Sequence, residues 1–316
     1  MKRAPTLISL LLLAGFLAVA QSPKKPEEYN NRGLDRQAKG DLDGAIDDYS
    51  KAIELKPKGP TLAIVYNNRA NARMAKNDLD GAIADYSKAA EIEPDNPEHF
   101  YNRGIARLTK SDNEGAAADF SKAIELSPSF ALAYNHRGNA RRATGDIDGA
   151  LSDYTKALEL RPVYFEAFYN RGAARQAKND FDGAIEDYSK AIELAPLFGD
   201  ALVNRGLAKQ GKKDFAGAIA DFTEALKLKA DDAGTWFARA TVRQEAKQFE
   251  GAVGDYSKVI ELDPNNAQAF ANRAVIEMMQ GKKAEAERDF DQAFKLDPSL
   301  KAQYKSFIEG QRTRPN

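Results

Sequence analysis

Residues Asn170–Ala191 read NRGAARQAKNDFDGAIEDYSKA. Two runs of helical period meet at the polar link KND. Phe168, Gly172 and Ala173 mark one face before it, and Ala184, Tyr188, Ala191 and Leu194 mark another after it. Asp180 and Asp182 stand where the second run starts, which favours a helix N-terminus, and Pro196 closes that run. The stretch predicts a helix hairpin. It also sets a problem, because Arg171, Arg175 and Asp187 sit among the apolar positions of helices that have to pack.

The same pattern recurs along the chain. Prolines at 57, 94, 128, 162, 196, 264 and 298 follow comparable E-L, E-I or K-L segments at spacings of 37, 34, 34, 34, 68 and 34. The 68 is two periods, with Ala230 where a proline would fall, and the 37 marks a three-residue insertion in KPKGPTLA. Eight copies follow. A small residue recurs in the first run as Gly33, Ala70, Gly104, Gly138, Gly172, Gly206, Ala240 and Ala274. An alanine recurs in the second as Ala45, Ala82, Ala116, Ala150, Ala184, Ala218, Ala252 and Ala286. Four residues later comes a ring, Tyr49, Tyr86, Phe120, Tyr154, Tyr188, Phe222, Tyr256 and Phe290. Small residues let helices approach closely, and the rings fill the space between hairpins.

These columns resemble the tetratricopeptide repeat family, over nearly the whole chain from about 27 to 300. The resemblance implies an all-α, right-handed superhelical solenoid of eight helix hairpins, with a concave groove lined by the first helix of each. The expected layout is a solenoid over 27–298, followed by a capping helix and tail over 299–316. In the cap, Leu300, Tyr304, Phe307 and Ile308 fall on one face.

The charged positions are columns too. Arg32, Arg69, Arg103, Arg137, Arg171, Arg205, Arg239 and Arg273 precede the small column, and sixteen residues on stand Asp48, Asp85, Asp119, Asp153, Asp187, Asp221, Asp255 and Asp289. A second basic column, Arg36, Arg73, Arg107, Arg141, Arg175, Lys209 and Arg243, ends with Glu277. In the family these three columns tend to be apolar or aromatic, so their joint replacement points to mutual neutralisation. Two Arg four apart on a helix repel by roughly 0.2–0.5 kcal/mol, which an Asp from an adjoining helix reverses. The expectation is a structural ion-pair ladder between hairpins, typified by Arg171, Arg175 and Asp187. The surplus of cations leaves an anion-binding stripe as the alternative.

Candidate binding residues come from the first helices. Asn31, Asn68, Asn102, Asn170, Asn204 and Asn272 stand before the Arg, with His136 and Ala238 in the remaining copies. In peptide-binding members of the family the equivalent Asn faces the groove, and an amide offers both a donor and an acceptor to a bound backbone. Tyr101, Tyr169 and Phe237, one residue earlier, are candidate anchoring rings, with ordinary packing as the alternative. The basic residues that clamp a terminal carboxylate in some members are missing from these two columns. Trp236 is expected in the core, and His99 and His136 on the surface or in the groove.

The 46 basic and 47 acidic side chains nearly cancel, so no global field points to nucleic acid or anionic lipid. With no cysteine, disulfides, thiol catalysis and zinc-thiolate sites are excluded. No phosphate loop, nucleophile motif, metal set or cofactor motif stands out, and an enzyme would need one differentiated polar cluster that breaks the repeat. Residues 1–20 combine Lys2 and Arg3, the apolar run LISLLLLAGFLAVA and a small-residue end at Ala18, Val19 and Ala20. They predict a signal peptide, a linker over 21–26 and a periplasmic or secreted protein without membrane insertion. An uncleaved N-terminal anchor is the alternative, disfavoured because the 14-residue apolar run is shorter than the roughly 20 that span a bilayer. The expected function is a non-enzymatic scaffold holding protein or peptide segments, with self-association as a rival.

Overall fold

A computed structural model describes residues 24–312; the expected signal peptide lies outside the described residues. Among the described residues seventeen helices form two compact units, divided between Asp95 and Asn96. The first unit holds two hairpins, α1 (Pro26–Ala38) with α2 (Leu42–Glu54) and α3 (Pro60–Ala75) with α4 (Leu79–Ile92). The second holds six more. They are α5 (Pro97–Thr109) with α6 (Asn113–Leu126), α7 (Ala131–Ala143) with α8 (Ile147–Leu160), and α9 (Phe165–Ala177) with α10 (Phe181–Leu194). After these come α11 (Gly199–Gly211) with α12 (Phe215–Leu228), α13 (Ala233–Glu245) with α14 (Phe249–Leu262), and α15 (Ala267–Met279) with α16 (Lys283–Leu296). A last helix, α17 (Leu300–Arg312), follows. The insertion near Lys58 is absorbed by α3, which is 16 residues long where the first helix of every other hairpin has 13.

Local chemistry explains each hairpin. Two residues past the first helix stands one in the left-handed region, such as Asn179 (φ 60°) or Gly145 (φ 88°), which turns the chain back. The next residue, Asp180 in the fifth copy, caps the second helix by accepting the Gly183 N–H at 3.0 Å. A Cβ at Gly183 would fall 2.4 Å from that carboxylate, so the glycine belongs to the cap. Six of the eight second helices share this Asp cap; Gln248 and Lys282 take its place in the last two and make no side-chain cap bond.

The core is the small and aromatic columns made physical. Tyr188 is buried with Ala184 and Ala208, and a Cβ on Gly172 would meet its ring at 2.9 Å. Its hydroxyl donates to Gln176 Oε1 at 3.0 Å, so the ring is both buried and satisfied. Tyr304, Phe307 and Ile308 of α17 pack against the Met278 and Phe290 cluster, as a cap requires.

Candidate functional site

Arg171 on α9 grips Asp187 on α10 with two prongs: Nε donates to Oδ2 at 3.0 Å and Nη2 to Oδ1 at 2.7 Å. Arg175, one turn on, reaches the same Oδ2 at 2.9 Å and donates to the Gly183 carbonyl at 3.0 Å. The forked pair recurs in all eight hairpins, from Arg32–Asp48 to Arg273–Asp289. It lies inside each hairpin, which corrects the expectation of pairing between hairpins. Sixteen residues carry the chain around one turn and back, so the two positions face each other across antiparallel helices.

The link between hairpins is a different bond, made by the third guanidinium nitrogen. Nη1 of Arg171 donates to Thr155 Oγ1 at 3.3 Å, Arg205 to Ser189 at 3.0 Å, Arg239 to Thr223 at 2.9 Å and Arg273 to Ser257 at 2.9 Å. A hydroxyl follows the aromatic column in seven copies, a regularity visible in the sequence but carrying no charge to draw notice. The guanidinium also lies over the ring three residues earlier, at 5.7 Å for Arg171 on Phe168 and 4.6 Å for Arg239 on Trp236. Trp236 is therefore half-buried, with its N–H on the Ala230 carbonyl at 2.8 Å. The apparent cation surplus is met by protein oxygens, since Arg175 also stands 3.8 Å from the capping Asp180. Burial nonetheless pushes the Asp187 carboxyl above its ordinary range, against the pull of both Arg.

The eighth hairpin departs from this scheme. Glu277 replaces the second Arg and is 9% exposed, its Oε2 is buried without a hydrogen-bond partner, and the helix cap is Lys282. Burial first, then the neighbouring Asp289, pushes the Glu277 carboxyl up.

Within each unit, first helices approach first helices: α1 meets α3, and α5, α7, α9, α11 and α13 meet in succession. Among the described residues no pair of second helices does so to the same extent, so the first helices form the inner, concave side of each unit. On that side the Asn column ties neighbouring helices together. Nδ2 of Asn68 donates to Asn30 Oδ1 at 2.9 Å, Asn170 to Asn135 Oδ1 at 3.0 Å, and Asn204 to the Tyr169 hydroxyl at 2.8 Å. Asn272 accepts from Gln268 at 2.8 Å and Tyr304 at 3.0 Å and donates to Tyr256 at 3.2 Å. Asn31 is exposed and Asn102 half-buried with a partner. Asn170 and Asn204 each keep one amide hydrogen and Oδ1 for a ligand.

The three candidate rings are half-buried and lean on other rings. Tyr101 lies 4.8 Å from Phe130 and 5.8 Å from Phe120, Tyr169 4.8 Å from Phe198 and 5.8 Å from Tyr188, and Phe237 5.5 Å from Tyr256. His136, in the Asn column, stacks on Phe120, and burial pushes its imidazole down. His99 is buried rather than at the surface or in the groove, because it faces inward from the first turn of α5. Among the described residues no group of three His, Cys, Asp or Glu is placed to hold a metal, and no helix is long and apolar enough to cross a membrane.

No curated protein matches the chain. Among solved structures, YrrB, described as a TPR protein with an unusual peptide-binding site, is similar at 25% identity and a TM-score of 0.54, over 60% of this chain and 99% of its own. A tetratricopeptide repeat protein from Parabacteroides merdae has 19% identity and a TM-score of 0.60, over 79% of this chain and 98% of its own. The C-terminal part of a TPR repeat-containing protein from Cytophaga hutchinsonii has 18% and 0.62, over 72% and 94%. TPR and tetratricopeptide repeat patterns match residues 26–58, 70–111, 138–179, 165–197, 199–232 and 267–300. Together these segments take in more than half of the chain, and with its eight hairpins they make it a member of the tetratricopeptide repeat family.

Proposed function

We propose that the protein is a non-enzymatic scaffold that holds extended segments of other proteins against its first helices, in the cell envelope after removal of residues 1–20. The observation that carries this reading is the state of Asn170 and Asn204. Each uses one amide hydrogen to order the stack and keeps a donor and an acceptor beside a half-buried ring, the pairing an extended backbone needs. The likeness to YrrB supports it, and the absence of a net field leaves recognition to such local contacts. The experiment is affinity capture from an envelope extract, followed by binding of the recovered partner to variants. Changing Tyr169 and Asn170 together to Ala should weaken binding at least tenfold, about 1.4 kcal/mol, with helical circular dichroism unchanged. Glu186→Ala, exposed on α10, should leave it intact. Loss of binding with the second variant but not the first would move the site off the inner face.

A further inference from the structure

The first helices of the last two hairpins border an open hollow of about 390 Å³, lined by Ala233, Gly234 and Phe237 of α13 and by Asp263, Asn266 and Gln268 at the start of α15. One departure from the repeat opens it. Where other first helices of this unit carry Glu98, Leu132, Glu166, Asp200 and Gln268, α13 has Gly234. Gly234 lies one turn before Phe237 on α13 and lines the hollow with it. Gly234 is not demanded by packing, since a Cβ there would meet its nearest neighbour, Asp232 Oδ1, at an ordinary 3.4 Å, whereas at Gly172 or Gly206 it would strike a ring below 3.0 Å. Its effect is the space itself.

The chemistry of the walls selects what fills that space. The floor is the Phe237 ring. Gln268 Nε2 has given both hydrogens, to Asn272 Oδ1 at 2.8 Å and the Tyr304 hydroxyl at 2.6 Å, so Oε1 is what it presents. Asp263 accepts from the Asn265 N–H at 3.1 Å and Asn266 Nδ2 at 3.4 Å, and its carboxylate retains further lone pairs. No Lys or Arg lines the hollow, and the nearby Arg239 is committed to Asp255, Thr223 and the Trp236 ring. An aliphatic or aromatic guest would cover Asp263 with nothing to offer it, at the cost of desolvating a charge. A guest with an apolar stem and a cationic head meets every wall: the stem and cation lie on the ring, and the head donates to Asp263 and Gln268. Arginine, with a flat guanidinium and five donors, suits a ring beside two acceptors better than lysine.

Resting on the proposed binding of extended segments, we infer that this hollow is a pocket for an arginine side chain of the bound segment, and that it sets the segment's register on the second unit. The test uses residues 21–316 and the peptide acetyl-Gly-Ser-Ala-Ala-Arg-Ala-Ala-Ser-Gly-amide. Its counterparts carry citrulline or norleucine in place of Arg. Trp236, the sole tryptophan, sits on α13 beside Phe237 and reports occupancy by its fluorescence. The Arg peptide should give a saturable change, and citrulline, norleucine or Asp263→Asn should each weaken it at least tenfold. Asp263→Asn should fold, because the same place in other copies holds Ser127, Ala195 and Lys229. Gly234→Leu fills the hollow with the residue that the fourth copy carries there as Leu132, and should abolish the change with circular dichroism intact. No change with the Arg peptide, equal or tighter binding of the norleucine or citrulline peptide, or binding that survives Gly234→Leu would overturn the pocket. If those results come while a captured partner still depends on Tyr169 and Asn170, the pocket alone is wrong. A captured partner indifferent to both regions would remove the underlying reading as well.

Discussion

Asp187 shows how a charge can live inside a helix hairpin. Its carboxylate holds Arg171 by two bonds and Arg175 by one, and burial opposes the ionised form even so. Such a trio adds little over an apolar one, but removing one member leaves the others buried and unpaired. Asp187→Ala should therefore lower stability by about 3 kcal/mol in urea melts, while Asp182→Ala, which breaks only the exposed pair with Lys212, should stay within about 0.5 kcal/mol. Equal effects would mean that the ladder is solvated. Glu277 presents the reverse case, a buried carboxyl faced by Arg273 of its own helix, by Asp289 and Glu285 of α16, and by Lys282. Its folded-state pKa lies above the ordinary value near 4.5, so the folded chain binds this proton more tightly than the unfolded one. The favourable contribution is present at acid pH and is lost as pH rises through the raised value. Glu277→Gln should thus raise the melting temperature at pH 7, and the gain should vanish as pH falls below about 4.5. A gain independent of pH would place its origin in packing rather than charge.

The unit of construction is the hairpin, and most of it was legible. Period, terminal proline, small column and aromatic column each predict a helix face, and all eight hairpins are present. The expected start of the second helix at Asp180 or Asp182 resolves to Asp180 as the cap, because only that side chain can reach back over the first turn to the Gly183 N–H. The seventh hairpin lacks this device. Gln248→Asp should restore it, bonding the first-turn amide and standing near Arg243 as Asp180 stands near Arg175. A gain of about 1 kcal/mol in a denaturant melt is expected. A loss would show that Gln248 serves some other end.

At the scale of the molecule, hairpins that cannot cover both faces alone are obliged to stack, and the inner side follows from which helices come close. In the second unit that side carries Asn170 and Asn204, the candidate rings and the hollow at Phe237, so the proposed ligand and the stack would share the same amides. The proposed envelope location depends on residues 1–20. Intact-mass measurement of protein recovered from a bacterial envelope fraction should give an N-terminus at or near Gln21. A chain beginning at Met1 and sedimenting with membranes would favour the anchored alternative.

The sequence by itself determined the repeat, the helix faces, the eightfold Arg and Asp columns and the identity of the candidate binding residues, because these are periodic and each period has a local physical cause. Only the tertiary structure decided what those residues touch. The ion pairs close within hairpins because sixteen residues place them across one turn, while the bonds between hairpins run from Arg to hydroxyls of another copy, a relation no single period displays. The Asn row likewise proved to be tied to its neighbours, since the spacing of first helices across copies, not the order of residues within one, brings Asn170 to Asn135 and Asn204 to Tyr169. The hollow at Phe237 belongs to the same class: the missing side chain of Gly234 becomes a space only when α15 is set beside α13.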